Sequence, residues 1–303
     1  MGRIAFLFPG QGAQKVGMAQ DFYEKCPLVR ETFEAATRQL GFSMEELCFT
    51  PNDRLDLTEY TQAALLTACV SILREVESRG IRADVAAGLS LGEYSALVAC
   101  GVMGFEDAVS VVRRRGILMQ EAVPAGQGGM AAVMGLANET IEDVLRDRKD
   151  VQIANYNCPG QTVISGKLAA VEEAGAALKA AGAKRVVPLN VSGPFHSAML
   201  QEAGEKLGET LEPVVLAEPR IPYITNVTAE YVTQSKEVKD LLKCQVSHGV
   251  RWQQTMERML ADGIDTFVEI GPGRTLTGFL RKMTKEAKWY NVETLEQLEA
   301  LEI

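Results

Sequence analysis

Ile4–Phe8 is an unbroken apolar run of strand length that Pro9-Gly10-Gln11-Gly12 stops, which predicts a strand running into a tight loop. Helical spacing follows from about Leu28 to Leu40, and again from Thr58 to Arg79, where Gly80 ends it. Val85–Leu89 is a second short apolar run. It leads straight into a helical stretch, Leu91–Cys100, and then a further helix from Phe105 to about Val123. Strands and helices alternating in this way predict a parallel sheet covered on both faces.

From Gly126 to Val191 the rhythm changes. Met130–Leu136 reads as a strand, Glu139–Arg146 as a helix, and Val151–Tyr156 and Thr162–Ser165 as two strands. Leu168–Ala181 is an alanine-rich helix ended by Gly182, and Arg185–Asn190 is a strand. The order β-α-β-β-α-β is that of a ferredoxin-like unit. The expected fold is therefore α/β, with residues 126–191 inserted as a small subdomain into a large one made of residues 1–125 and 192–303. Helices near Gln201–Glu212, Glu237–Leu242 and Trp252–Ala261, the strand Asp265–Ile270, and a last strand and helix complete the large part.

Composition leaves this picture intact, since 47% hydrophobic and 23% charged residues are ordinary for a folded globular chain. A formal net charge of −9 argues against a general binder of nucleic acid or anionic membrane, while leaving room for a local basic patch. Cys26, Cys48, Cys69, Cys100, Cys158 and Cys244 are scattered without a CxxC pair. They read as buried thiols in a reducing cytosol, and with only His196 and His248 as imidazoles no metal is expected. Ile4–Phe8 is too short for a signal-peptide core and no stretch approaches transmembrane length, so a cytoplasmic protein is expected.

Gly88-Leu89-Ser90-Leu91-Gly92 matches GxSxG and sits between an apolar strand and a helix, the setting of a nucleophile elbow. A side chain at either glycine would crowd the backbone, and the turn holds Ser90 at the positive end of the following helix. The plain alternative is a serine helix cap with glycines for packing. A serine needs a base. His196, in Ser192-Gly193-Pro194-Phe195-His196-Ser197, follows a strand, where α/β proteins place reactive groups. His248 lies in a polar loop and reads as a surface residue. Gly10-Gln11-Gly12 taken alone is a turn, and it lacks the further glycine and distant acid of a dinucleotide fingerprint. Arg113, Arg114 and Arg115 are three adjacent cations, any of which could anchor a carboxylate or lie on a solvated face.

Taken together, Phe8-Pro9-Gly10-Gln11-Gly12, Gly88-Leu89-Ser90-Leu91-Gly92-Glu93-Tyr94-Ser95-Ala96, Arg115-Gly116-Ile117-Leu118-Met119-Gln120, Asn157-Cys158-Pro159-Gly160-Gln161, Gly193-Pro194-Phe195-His196 and Glu269-Ile270-Gly271-Pro272-Gly273 resemble, in content and order, the malonyl-CoA:acyl-carrier-protein transacylase family. The resemblance runs from residue 3 to about 295. It implies an α/β-hydrolase-like large subdomain with a ferredoxin-like insertion, and a two-step exchange. Ser90, with His196 as base, takes malonyl from malonyl-CoA, and the phosphopantetheine thiol of an acyl carrier protein then takes it from Ser90. It further implies that the Gln245 backbone carbonyl orients the histidine, and that the N–H groups of Gln11 and Leu91 form the oxyanion hole. Arg115 becomes the malonyl carboxylate anchor, its fork suited to two parallel hydrogen bonds. Phe195 is the residue type that related polyketide acyltransferases carry when they take malonyl, its ring excluding methylmalonyl. Gln62, Asn157 and Gln161 fall at positions resembling polar pocket residues. Leu89 departs from the pattern, since many members have histidine immediately before the nucleophile.

No cofactor is implied beyond the CoA thioester and the carrier's own phosphopantetheine. Carrier proteins are acidic, so Lys184, Arg185, Lys243, Arg274, Arg281 and Lys282 are candidates for a local basic rim, the alternative being ordinary solubilising charges. Three other readings share parts of this pattern: a malonyl transferase serving a polyketide synthase in trans, a serine hydrolase or thioesterase, and a carrier-binding scaffold without catalysis. Arg115 argues against the hydrolase, because most esters need no carboxylate anchor. Ser90, His196 and the Gln11 loop argue against the scaffold.

Overall fold

The structure, a computed structural model, describes residues 2–124, 126–191 and 193–303. In chain order its strands are β1 (Arg3–Phe8), β2 (Val85–Gly88), β3 (Gly128–Met134), β4 (Val151–Cys158), β5 (Gln161–Lys167), β6 (Arg185–Pro188), β7 (Tyr223–Ile224), β8 (Tyr231–Val232), β9 (Ile264–Ile270) and β10 (Lys288–Val292). One sheet runs β10-β9-β1-β2-β7-β8, parallel throughout except for β8 at its edge. The other runs β4-β5-β3-β6 and is antiparallel. That order belongs to a ferredoxin-like unit, so the fold is α/β in the two-part form that the pattern of the chain predicts.

The central strand β1 shows why the large sheet needs cover on both sides. Phe6 and Phe8 point into a core built with the helices Pro27–Leu40, Thr58–Ser78 and Phe105–Glu121. Ala5 and Leu7 point the other way, toward Trp252, Met256 and Met259 of the helix Trp252–Ala261. Successive side chains alternate across a strand, so a strand with both faces covered is apolar at every position. The helix Thr58–Ser78 ends where Gly80 turns left-handed at φ 82°, a conformation costly for a residue with a Cβ.

The small sheet has a core of its own. Ala131, Val133 and Ile164 pack against Ile141 and Leu145 of the helix Asn138–Leu145, and against Val171 and Leu178 of the helix Leu168–Ala180. The opposite face, with Met130, Ala154 and Val163, joins the core of the large part. Val250 ties the two together, donating to the Ala154 carbonyl at 2.8 Å and accepting from the Tyr156 N–H at 2.9 Å. Ala125 and Ser192, at the expected junctions of the inserted segment, lie outside the described residues.

Several elements escape the sequence pattern: the helices Gln20–Lys25, Met44–Phe49 and Thr275–Leu280, and the strands β7 and β8. Each is two to six residues long, too short to complete a readable period. β6 also stops at Pro188 rather than Asn190, which leaves residues 189–191 free to line a cleft.

Candidate active site

The turn from β2 into the helix Gly92–Ala99 is built by close approach. A Cβ on Gly88 would lie 2.0 Å from the Gly92 carbonyl oxygen, and one on Gly92 would lie 2.1 Å from that of Phe8. Ser90 at the apex has φ 52°, a strained value for a side-chain-bearing residue. Asn226 clamps this turn from across the sheet: its Oδ1 accepts the Ser90 N–H at 2.6 Å and its Nδ2 donates to the Gly88 carbonyl at 2.7 Å.

His196 stands over the turn, also left-handed at φ 56°. Its Nε2 lies 2.7 Å from Ser90 Oγ, and its Nδ1 lies 2.8 Å from the Gln245 carbonyl oxygen. That carbonyl can only accept, so Nδ1 carries the proton and Nε2 is the acceptor facing the serine. Burial first, and the charge of Arg115 second, push the ring's pKa down to about 4, which keeps it neutral. Gln152 holds the turn behind it, donating to the His196 carbonyl at 3.0 Å and accepting from Ala198 N at 3.0 Å. His248 is exposed and bonds back to the Cys244 carbonyl, away from Ser90.

The helix Phe105–Glu121 separates the three arginines by its phase. Arg113 pairs with Glu59 at 2.6 Å and lies over the Tyr60 ring, while Arg114 is exposed. Arg115 is only 1% exposed and points inward. Its Nη2 donates to Ser90 Oγ at 3.1 Å and Gln245 Oε1 at 2.9 Å, and its Nη1 donates to Gln62 Oε1 at 2.8 Å. The hydrogen-bond partners of this buried cation are neutral, and the Glu93 carboxyl acts on it without touching it, so an incoming carboxylate would find no ion pair to break. Burial lowers the guanidinium's pKa from its very high ordinary value.

These groups line one cleft of about 690 Å³ between the C-terminal ends of the parallel strands and the open face of the small sheet. Gln11, Gln62, Ser90, Arg115, Asn157, Phe195 and His196 line it, with Met119, Met130 and Val163 supplying apolar wall. Leu89 lines it too, where a histidine would bring a polar contact. Asn157 Oδ1 is buried without a hydrogen-bond partner. Among the described residues, neither the Gln11 N–H nor the Leu91 N–H beside Ser90 donates to another protein group. Gln161 departs from expectation. It stands at the hairpin end of β5, beyond the lining residues, and its Oε1 accepts from Lys282 Nζ at 3.3 Å.

Sequence reasoning misses Asn226 and Gln152 entirely, because each acts across the fold from a segment with no motif. It also misses the side chain of Gln245, whose Nε2 donates to the Ser90 carbonyl at 2.9 Å and to Glu93 Oε2 at 2.7 Å.

The chain matches the family model described as acyl transferase domain over residues 5–298. It is 43% identical over 304 residues to the malonyl CoA-acyl carrier protein transacylase of Bacillus subtilis, covering 99% of this chain and 96% of that one. An acyl carrier protein S-malonyltransferase from Vibrio cholerae superposes with a TM-score of 0.97 at 41% identity, covering 99% of this chain and 100% of the other. A malonyl-transacylase solved in complex with a type II PKS acyl-carrier protein (holo) superposes with a TM-score of 0.95 at 40% identity, covering 98% of each chain.

Proposed function

The chain belongs to the acyl transferase family, among the malonyl CoA-acyl carrier protein transacylases, and from that premise we propose that it moves malonyl from malonyl-CoA to the phosphopantetheine thiol of an acyl carrier protein through an ester on Ser90. The observation that carries this reading is the buried Arg115 guanidinium 3.1 Å from the Ser90 hydroxyl. A nucleophile and a carboxylate anchor at that spacing suit a short acyl group ending in a free acid.

In the first half-reaction His196 Nε2 takes the Ser90 proton as Oγ attacks the thioester carbonyl. The Gln11 and Leu91 N–H groups receive the oxyanion, and collapse expels the CoA thiolate, which takes the proton from His196. In the second, the carrier thiol gives its proton to His196 and attacks the serine ester, and Ser90 leaves with that proton. The Gln245 carbonyl stabilises the imidazolium in both halves. Throughout, Arg115 exchanges its neutral contacts for the malonyl carboxylate, and the Phe195 ring narrows the space beside the acyl α-carbon. The reading needs no bound cofactor or metal. Six free cysteines, five of them buried, support a reducing, cytoplasmic setting, and among the described residues no helix is long and apolar enough to cross a membrane.

Intact-mass spectrometry after mixing the protein with malonyl-CoA tests the reading. The expected result is one malonyl adduct on Ser90 and none in Ser90→Ala. Arg115→Ala should lose roughly 10- to 150-fold in preference for malonyl-CoA over acetyl-CoA, the worth of a charged hydrogen bond. An unmodified wild-type chain, or an Arg115→Ala variant with unchanged preference, would overturn it.

A further inference from the structure

One ionisable side chain in this part of the molecule has no role in the steps above. Glu93 lies in the first turn of the helix Gly92–Ala99 and is 0% exposed. A carboxylate there would ordinarily cap its own helix from the surface, at no desolvation cost. Glu93 caps nothing in its own helix. Its Oε2 accepts instead from two distant residues, Gln245 Nε2 at 2.7 Å and the Asn226 N–H at 3.2 Å.

Each of those two residues holds reacting groups. Gln245 presents its carbonyl to His196 Nδ1, receives Arg115 Nη2 on its Oε1, and donates from Nε2 to the Ser90 carbonyl. Asn226 grips the elbow at the Gly88 carbonyl and the Ser90 N–H, on either side of Leu89. An amide side chain is nearly symmetric, and a fixed acceptor on one end is what tells its oxygen from its nitrogen. With Glu93 and the Ser90 carbonyl both accepting from Nε2, Oε1 of Gln245 must face the guanidinium.

We propose that Glu93 is a positioning residue for acyl transfer: one buried carboxylate that, through Gln245 and Asn226, aligns the base, the carboxylate anchor and the nucleophile's turn together. The inference rests on the acyl-transfer reading for its malonyl arm only. Burial pushes the Glu93 carboxyl up to about 7, against the pull of its hydrogen bonds from Gln245, Thr225 and Asn226 and of the Arg115 charge. The other ionisable groups facing it are Tyr94 and Tyr223, whose hydroxyls burial holds neutral. The Thr225 hydroxyl faces the carboxyl as well, and it can donate to the ionised form or accept from the protonated one, so a proton on Oε1 leaves both contacts on Oε2 in place. Position rather than charge is what Glu93 supplies, and glutamine should substitute for it.

Two rates on the full-length protein test this, each expressed per folded chain: acylation of Ser90 by malonyl-CoA, and modification of Ser90 by phenylmethylsulfonyl fluoride, which needs base and elbow but no malonyl. Glu93→Ala and Glu93→Asp should slow both by about 100-fold, the scale of an ångström-level misplacement. Glu93→Gln should keep both within about tenfold of wild type, one acceptor replacing another. Should the alanine variant not fold, the aspartate variant, which withdraws the carboxylate by one methylene, carries the comparison. Folded alanine or aspartate variants within about threefold of wild type, or a glutamine variant as slow as alanine, would overturn the proposal. A wild-type chain that takes the sulfonyl group but no malonyl would sink the acyl-transfer reading alone, since sulfonylation still ranks the Glu93 variants.

Discussion

His196 works as a base because of where its ring is kept. The ring is buried beside a guanidinium, and both conditions disfavour the imidazolium, so its pKa falls to about 4. The rate constant kcat/KM for malonyl-CoA should therefore stay level from about pH 8 down to about pH 5, and drop only as the pH nears 4. A break near the free histidine value of about 6.5 would mean that the ring titrates as in water. The linked stability has a definite sign. Because the folded pKa lies below the unfolded one, His196 favours the fold fully above about pH 6.5, and that contribution is lost as the pH falls toward 4. At this scale only the family resemblance picks Arg115 from three adjacent cations, while Ser90 and His196 are legible because each sits in a local motif. Asn226 and Gln152 are not: their contribution is a hydrogen bond to residues 136 and 44 positions away, which no local pattern encodes.

Between strand and helix, the elbow depends on backbone approaching backbone. A methyl group on Gly92 would meet the Phe8 carbonyl, which belongs to the central strand and cannot swing aside. Gly92→Ala should cost about 3 kcal/mol of unfolding free energy, at the upper end for overpacking, and abolish acylation of Ser90. Gly278 provides the contrast. It lies inside the helix Thr275–Leu280, with nothing within 4 Å of an added Cβ. Gly278→Ala should raise stability by about 0.5–1 kcal/mol through helix propensity alone, and denaturant titration of the two variants checks both signs. The long elements and the ferredoxin-like order are legible from periodicity. The short helices and β7 are not, although β7 extends the sheet beside β2, close to where Asn226 leaves it.

For the molecule as a whole, the cleft exists because the small sheet lies open-faced over the ends of the parallel strands. Arg274, Arg281 and Lys282 are exposed beside Thr275 and Phe279 at its edge, whereas Lys243 is paired with Glu205 at 2.5 Å. The net charge of −9 repels an acidic carrier protein at long range, so a local basic edge must supply the attraction. Raising the ionic strength from about 0.05 to 0.5 M should weaken transfer to the carrier protein while leaving the sulfonylation rate of Ser90 nearly unchanged. Salt-insensitive transfer would remove these side chains from the docking surface.

The sequence by itself determines the alternation of strands and helices, the glycine-flanked serine and the family resemblance, because periodicity, steric crowding and motif order are properties of neighbours along the chain. Which of three adjacent arginines turns inward, which amide oxygen faces it, and how low the histidine titrates are decided only in three dimensions. Those outcomes depend on desolvation and on hydrogen bonds between remote segments, and neither exists until the two sheets have closed around the cleft.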